Sequence, residues 1–283
     1  MPELISEYDP ESTREALKVL MDLFARLAGY RRHAVVVGGW VPYLTCPNAE
    51  RLHCGSKDID IAFDSEKVGK TSYEELAKVL KSMNFVERRD RNKKIIEFSY
   101  ERAIKVGGRE LKIHLDLLAQ YYGGRGKKHA TQIVKGQRAR KAMGADLALE
   151  DPVEFDLDGE MPGGAKNRVK IRVAKPMPHI VMKAHALDSR AKEKDAYDIY
   201  WICKYHPDGR AAIATAFRRK AKDQSVIRAI AFLEEKFGGM DRLGPSHVAD
   251  FLETEVGNRD IVLRDAYETV QDLLRRVRGD SAR

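Results

Sequence analysis

Near residue 176 the apolar pattern of this chain changes period, and that change limits the fold more than any other feature of the sequence. Before it, residues 33–37, 58–63, 94–100, 110–119, 151–155 and 168–173 form short stretches. They either alternate polar with apolar side chains or run rich in valine, as strands do. After it, residues 182–191, 195–204, 210–220, 225–236, 246–252 and 261–277 repeat their apolar positions at helical spacing. Helices also break into the first half. Residues 12–29 carry Leu17, Leu20, Met21, Phe24 and Leu27 on one face, with Ser12 or Thr13 as N-cap and Glu15 placed to complete a capping box. Residues 72–83 form a second helix and 40–45 a short third, with Pro42 in its first turn. The expected fold is α+β: a mixed-sheet core over residues 1–176, then a helical domain over 177–283.

Bulk properties exclude some classes. The first residues are acidic and polar where a secretion signal is basic and then apolar. No run reaches the roughly 18–20 apolar residues of a membrane span, so no membrane partner is expected. Cys46, Cys54 and Cys203 lack metal-ligand spacing and read as reduced, cytoplasmic thiols. A disulfide between Cys46 and Cys54, or a metal shared with His53, is the minor alternative. The net charge of +8 favours an anionic partner.

The chemistry centres on Asp58-Ile59-Asp60. On a strand, Asp58 and Asp60 share one face while Ile59 and Ile61 share the other. Two adjacent carboxylates repel, and oxygen-rich sites of this kind suit Mg²⁺. Upstream, the apolar run Ala34-Val35-Val36-Val37 ends at Gly38-Gly39. Such a pair lets backbone come close to phosphate oxygens. Downstream, Ile113, Leu115 and Leu117 leave His114 and Asp116 on the opposite face of another strand.

A strand ending in Gly-Gly, an Asp-x-Asp strand and a lone strand aspartate, in that order, resemble the polymerase-beta-type nucleotidyltransferase superfamily. The segment with Lys183, Arg190, Lys194, Asp195 and Asp198 is similar to the lysine helix and the basic-Asp-x-x-Asp helix of its AbiEii/MenT-like toxin branch. The resemblance runs from about Val35 to Trp201. It implies two Mg²⁺ ions on Asp58, Asp60 and Asp116. Gly38, Gly39, Ser56, Lys57, Lys183 and Arg190 would contact a nucleoside triphosphate, and Asp198 would be a further essential residue. Asp195 competes with Asp198, since i and i+3 share a helix face. Arg190, Lys194 and Asp198 also fit a plain row of ion pairs. One departure is the loop between Gly39 and Asp58, longer than is usual in the family.

The implied activity is transfer of a nucleoside monophosphate from NTP, releasing pyrophosphate. RNA, with the tRNA 3′ end foremost, is the expected acceptor, and a cognate antitoxin is an expected partner. A protein acceptor, or a non-catalytic RNA or nucleotide binder, are the alternatives. The basic segments 88–94, 125–141 and 275–278 are candidate RNA contacts, the second following Tyr121-Tyr122.

Overall fold

The computed structural model describes residues 3–64, 70–120, 132–134, 137–254 and 256–279. In chain order these form α1 (Pro10–Leu27), β1 (Ala34–Val37), α2 (Trp40–Thr45), β2 (Asp58–Phe63), α3 (Lys70–Ser82), β3 (Val86–Arg89), β4 (Ile95–Val106), β5 (Arg109–Gln120), β6 (Gln132–Val134), β7 (Gln137–Ala142), α4 (Ala145–Glu150), β8 (Val153–Glu160) and β9 (Lys166–Val173). The helices α5 (Pro176–Arg190), α6 (Glu193–Tyr205), α7 (Gly209–Arg219), α8 (Gln224–Lys236), α9 (Leu243–Phe251) and α10 (Val256–Arg278) follow. The fold is the expected α+β, with a mixed sheet.

The chain divides into two compact units. One holds Asp9–Trp40 and Ser56–Lys175. The other holds Pro176–Arg283 together with Met1–Tyr8 and Val41–Gly55. The helical unit is therefore assembled from three separate stretches of chain.

In the first unit the strands follow the order β3-β4-β5-β2-β1-β9-β8. β2 pairs antiparallel with β1 and parallel with β5. The hairpin β4–β5 turns at Gly107 and Gly108, both at positive φ, where glycine carries no steric penalty. The core is built from one face of the central strands, with Val36, Ile59, Ile61, Ile113 and Leu115 fully buried, and from Leu20, Phe24 and Leu27 of α1. β8 and β9 add a surface device. Glu154, Asp156, Asp158 and Glu160 lie opposite Arg172, Lys170, Arg168 and Lys166, so each acid of the edge strand faces a base. Exposed pairs of this kind contribute little each, about 0.2–1 kcal/mol.

Several boundaries differ from those read in the sequence. α1 starts at Pro10, and Asp9 caps it by accepting the Ser12 backbone N–H at 2.8 Å. Ser12 is therefore inside the helix, and Glu15 pairs with Lys18 at 2.7 Å rather than closing a capping box. Proline fits the first helical position, where no intrahelical N–H bond is lost. The same reason lets α5 begin at Pro176, six residues before the apolar repeat becomes visible, since Pro178 also falls in its first turn. β3 was not expected at all: its residues Val86, Glu87, Arg88 and Arg89 are mostly exposed and give no apolar alternation. Of the basic stretch 125–141, β6 and part of β7 are described. Tyr121, Tyr122 and residues 123–131 lie outside the described residues.

The helical unit packs aromatic side chains at its centre. Tyr197, Trp201, Phe217, Phe237 and Phe251 are all buried, and the Tyr197 and Phe251 rings lie 4.5 Å apart. Among the described residues no helix is long and apolar enough to cross a membrane.

Candidate active site

In the first unit, strand register assembles the carboxylates. Asp60 of β2 lies directly opposite Asp116 of β5, and Asp58 lies opposite His114. Parallel neighbours keep their side chains on a common face, so Asp58, Asp60, His114 and Asp116 form one polar patch. Behind it, Ile59, Ile61 and Leu115 are buried. Residues of β1 fix the other edge, with Val37 opposite Asp60.

Gly38 follows at φ +70°, and a Cβ placed there would lie 2.1 Å from Asp60 Oδ2. The first glycine of the pair is thus required twice, by backbone conformation and by the space the Asp60 carboxylate occupies. Polar neighbours hold the outer carboxylates. Ser99, buried on β4, donates its hydroxyl to Asp116 Oδ1 at 2.6 Å. His114 Nδ1 lies 3.1 Å from Asp58 Oδ1. The Asp58 backbone N–H donates to Ser56 Oγ at 3.3 Å. Sequence reasoning named neither Ser99 nor a role for His114. The sole signal was His114 sharing a face with Asp116.

Among the described residues no three acid, imidazole or thiol groups converge into a ready-made metal cluster. The side chains Asp58 and Asp116 are instead engaged by His114 and Ser99. The donor chemistry nonetheless fits a hard divalent cation: three carboxylates on one face of neighbouring strands, two of them side by side.

The helical unit contains a second polar group. Lys183 of α5 reaches two carboxylates of α6, Asp195 Oδ1 at 2.8 Å and Asp198 Oδ2 at 2.7 Å. Lys194 Nζ lies 2.9 Å from Asp198 Oδ1. Arg190, at the end of α5, grips Asp195 with both arms of its guanidinium, at 2.7 and 2.8 Å. Arg190 thus lies on a different helix from Lys194 and Asp198, and the three do not form one row. Lys194 and Asp198 do pair, at i and i+4.

His53, from the Val41–Gly55 segment, completes the group. Its Nδ1 accepts the Gly55 backbone N–H at 3.1 Å. The ring proton therefore sits on Nε2, which donates to Asp198 Oδ1 at 3.0 Å. With both nitrogens occupied, His53 has no lone pair for a metal, and Cys46, Cys54 and Cys203 are all free thiols. The ring stacks on Tyr197 at 5.1 Å and meets Trp201 edge-on at 5.3 Å.

Burial alone would raise the pKa of Asp198, yet Lys183, Lys194 and His53 hold it well below the usual carboxylate range. Burial likewise opposes ionisation of Asp195, and Lys183 and Arg190 overcome it. Lys183 and Lys194 stay charged despite burial because these carboxylates face them. Spacing left Asp195 and Asp198 as equals. Both are buried, and they differ in partners: Asp198 meets Lys183, Lys194 and His53, while Asp195 meets Lys183 and Arg190.

Burial lowers the pKa of His53 to about 4 and that of the neighbouring His179 to about 3, from an ordinary 6.5. Below pH 6.5 the unfolded chain binds protons that the folded chain refuses. Stability is therefore full above that pH and falls as the pH drops from 6.5 towards 4. Near pH 5 the loss is roughly 2 kcal/mol per histidine. Urea unfolding followed by tryptophan fluorescence at about pH 7.5 and about pH 5 should show a clearly lower midpoint in acid. His53→Gln should shrink that difference, and an equal difference in both proteins would contradict the assignment.

A family described as "Nucleotidyl transferase AbiEii toxin, Type IV TA system" matches residues 23–271. No curated protein matches the chain. Among solved structures, one described as a putative nucleotidyltransferase from H. pylori is similar over 97% of this chain and 100% of its own, at 12% identity and a TM-score of 0.43. The antibiotic-resistance factor ANT(2'')-Ia is similar over 74% of this chain and 95% of its own, at 12% identity and a TM-score of 0.37. The family match takes in both glycines, all three strand aspartates and the buried lysine–aspartate group, and by it the chain belongs to the AbiEii nucleotidyl transferase toxin family and is a nucleotidyltransferase.

Proposed function

We propose that this chain moves a nucleoside monophosphate from a nucleoside triphosphate to RNA, with the 3′ end of tRNA as acceptor, as a toxin acting in the cytoplasm. The observation that carries the reading is the register of β2 and β5, which sets Asp60 beside Asp116 and Asp58 next to them on one face. A pure nucleotide or RNA binder gains nothing from three acids at the place where phosphates must approach.

Asp58, Asp60 and Asp116 would hold Mg²⁺. Held there, divalent cations would supply activation of the attacking hydroxyl and charge neutralisation at the leaving pyrophosphate. The protein's own work is positioning. Ser99 and His114 orient the outer carboxylates, and Gly38 leaves the Asp60 carboxylate its place. Gly38, Gly39, Ser56, Lys57, Lys183 and Arg190 remain assigned to the triphosphate, and Asp198 to an essential role, through the family resemblance. The description of the family as part of a Type IV toxin–antitoxin system supports an antitoxin partner.

Gly38→Ala tests the local geometry. The added methyl displaces the Asp60 carboxylate, and alanine at this φ costs about 1–2 kcal/mol. A misplacement of about 1 Å at a catalytic group lowers turnover roughly 10²-fold, so kcat/KM should fall by about that factor while circular dichroism stays native. Wild-type kinetics in Gly38→Ala would place the reacting groups elsewhere.

The decisive experiment incubates the protein with each NTP labelled on its α-phosphate, total cellular RNA and Mg²⁺, with Asp60→Asn as control. Products are resolved on a denaturing gel. Label in a tRNA-sized band with the intact protein alone supports the proposal. Label on protein bands keeps the chemistry and moves the acceptor. No label with any donor favours a binder that does not turn over.

A further inference from the structure

One basic segment, residues 275–278, has no part in the proposed chemistry. The fold joins it to another. Arg218, near the end of α7, donates to the backbone carbonyl of Arg276, near the end of α10. The two helices therefore finish side by side. We infer that these joined ends, with the turn that follows α7, form a docking surface for the phosphodiester backbone of RNA.

Charge along both helices is segregated towards this place. α7 contains no acidic residue and closes on Arg218 and Arg219. Lys222 extends the charge into the next turn. In α10 the acids Asp260, Asp265, Glu268 and Asp272 all precede the closing Arg275, Arg276 and Arg278. Among the described residues, three acids lie nearby. Asp272 is shared by Arg210, Arg275 and Arg276, Glu234 pairs with Arg278 at 3.0 Å, and Asp223, next to Lys222, is engaged in capping α8. Arg219, Lys222 and Arg275 are exposed.

Complementing two helix C-termini accounts for a part of this charge only. That effect fades within the last turn, and Lys222 lies beyond it. The predominance of arginine favours phosphate, which a planar guanidinium binds with two donors at once. An acidic protein partner is the competing class, and such interfaces centre on large apolar anchors. The large exposed apolar residues among those described, Leu52, Val86, Ile95, Ile227 and Ile261, include none on α7 or the last turn of α10.

The inference rests on RNA as the acceptor, and its test separates the two. Fluorescence anisotropy against a tRNA, over a series of salt concentrations, is compared for the wild type and Arg219→Gln/Lys222→Gln/Arg275→Gln. Each phosphate that the protein no longer neutralises takes about 0.7–0.9 from the slope of log K against log salt. Three such phosphates should lower that slope by about 2 and the affinity at about 0.1 M salt by roughly 100-fold. Transfer to RNA should show a raised KM with kcat retained.

If the variant weakens binding in this way while the wild type labels no RNA, the docking surface stands and the acceptor assignment falls. An unchanged slope and affinity overturn the surface, whether or not RNA is labelled. Polyglutamate that displaces tRNA at equal charge concentration would also overturn it, assigning the surface to an acidic protein.

Discussion

Asp60→Asn is expected to abolish nucleotide transfer while leaving the protein at least as stable as the wild type. The two effects share one origin. Asp60 and Asp116 are direct neighbours across a parallel pair, and like charges placed opposite each other are destabilising. Neutralising one relieves that repulsion in the protein without its cations. The same change removes a ligand from the proposed Mg²⁺ site. If the lost stabilisation of transition-state charge is about 4 kcal/mol, turnover falls roughly 10³-fold. Thermal unfolding without divalent ions should show Asp60→Asn level with the wild type or above it. Added Mg²⁺ should then stabilise the wild type more, by mass action on the folded state. A variant that is both inactive and poorly folded would mark Asp60 as a structural residue and remove the main support for the proposed chemistry.

Asp198→Asn should behave in the opposite way. Its carboxylate faces Lys183, Lys194 and His53 within the buried network. Neutralising it leaves two buried ammonium groups with the Asp195 carboxylate, which Arg190 also engages. Breaking a buried ion pair from one side costs about 3–5 kcal/mol, because the remaining charge stays buried. A loss of that size is expected in urea unfolding. Replacing Lys194 by methionine together with Asp198→Asn restores the balance, and most of the stability should return. If the double variant folds well and still transfers no nucleotide, Asp198 or Lys194 acts beyond the fold. Normal turnover in it would confine the pair to a structural role. A single variant as stable as the wild type would mean the network does not exist in solution.

The sequence carried the periodic parts of the structure well. Asp58–Phe63 alternates cleanly and forms β2 over the expected residues, and α6 lies close to its expected limits. Alternation also placed Asp58 and Asp60 on one face, and Asp116 on a face of its own strand. It could not say that β2 and β5 are parallel neighbours, since pairing between strands some fifty residues apart leaves no local mark. Charge hid β3, an edge strand with little to bury. Lys183 and Lys194 illustrate a second limit. Lysines on helices ordinarily face water, and these are buried because acids from α6 meet them there. His53 shows a third. Its partner Asp198 is 145 residues away, and a polar loop gives no periodicity from which to find it.

That separation has a consequence for how the chain is made. At ribosomal rates of about 5–20 residues per second, Asp198 is synthesised roughly 7–30 s after His53. The Val41–Gly55 segment must wait through that interval without the Asp198 partner of its imidazole, while Ser56–Lys175 is synthesised to complete the first unit. The helical unit closes last, over one of the earliest segments to emerge. A nascent chain stalled before α6 would hold all three strand aspartates yet lack the acceptor that secures the segment leading into them.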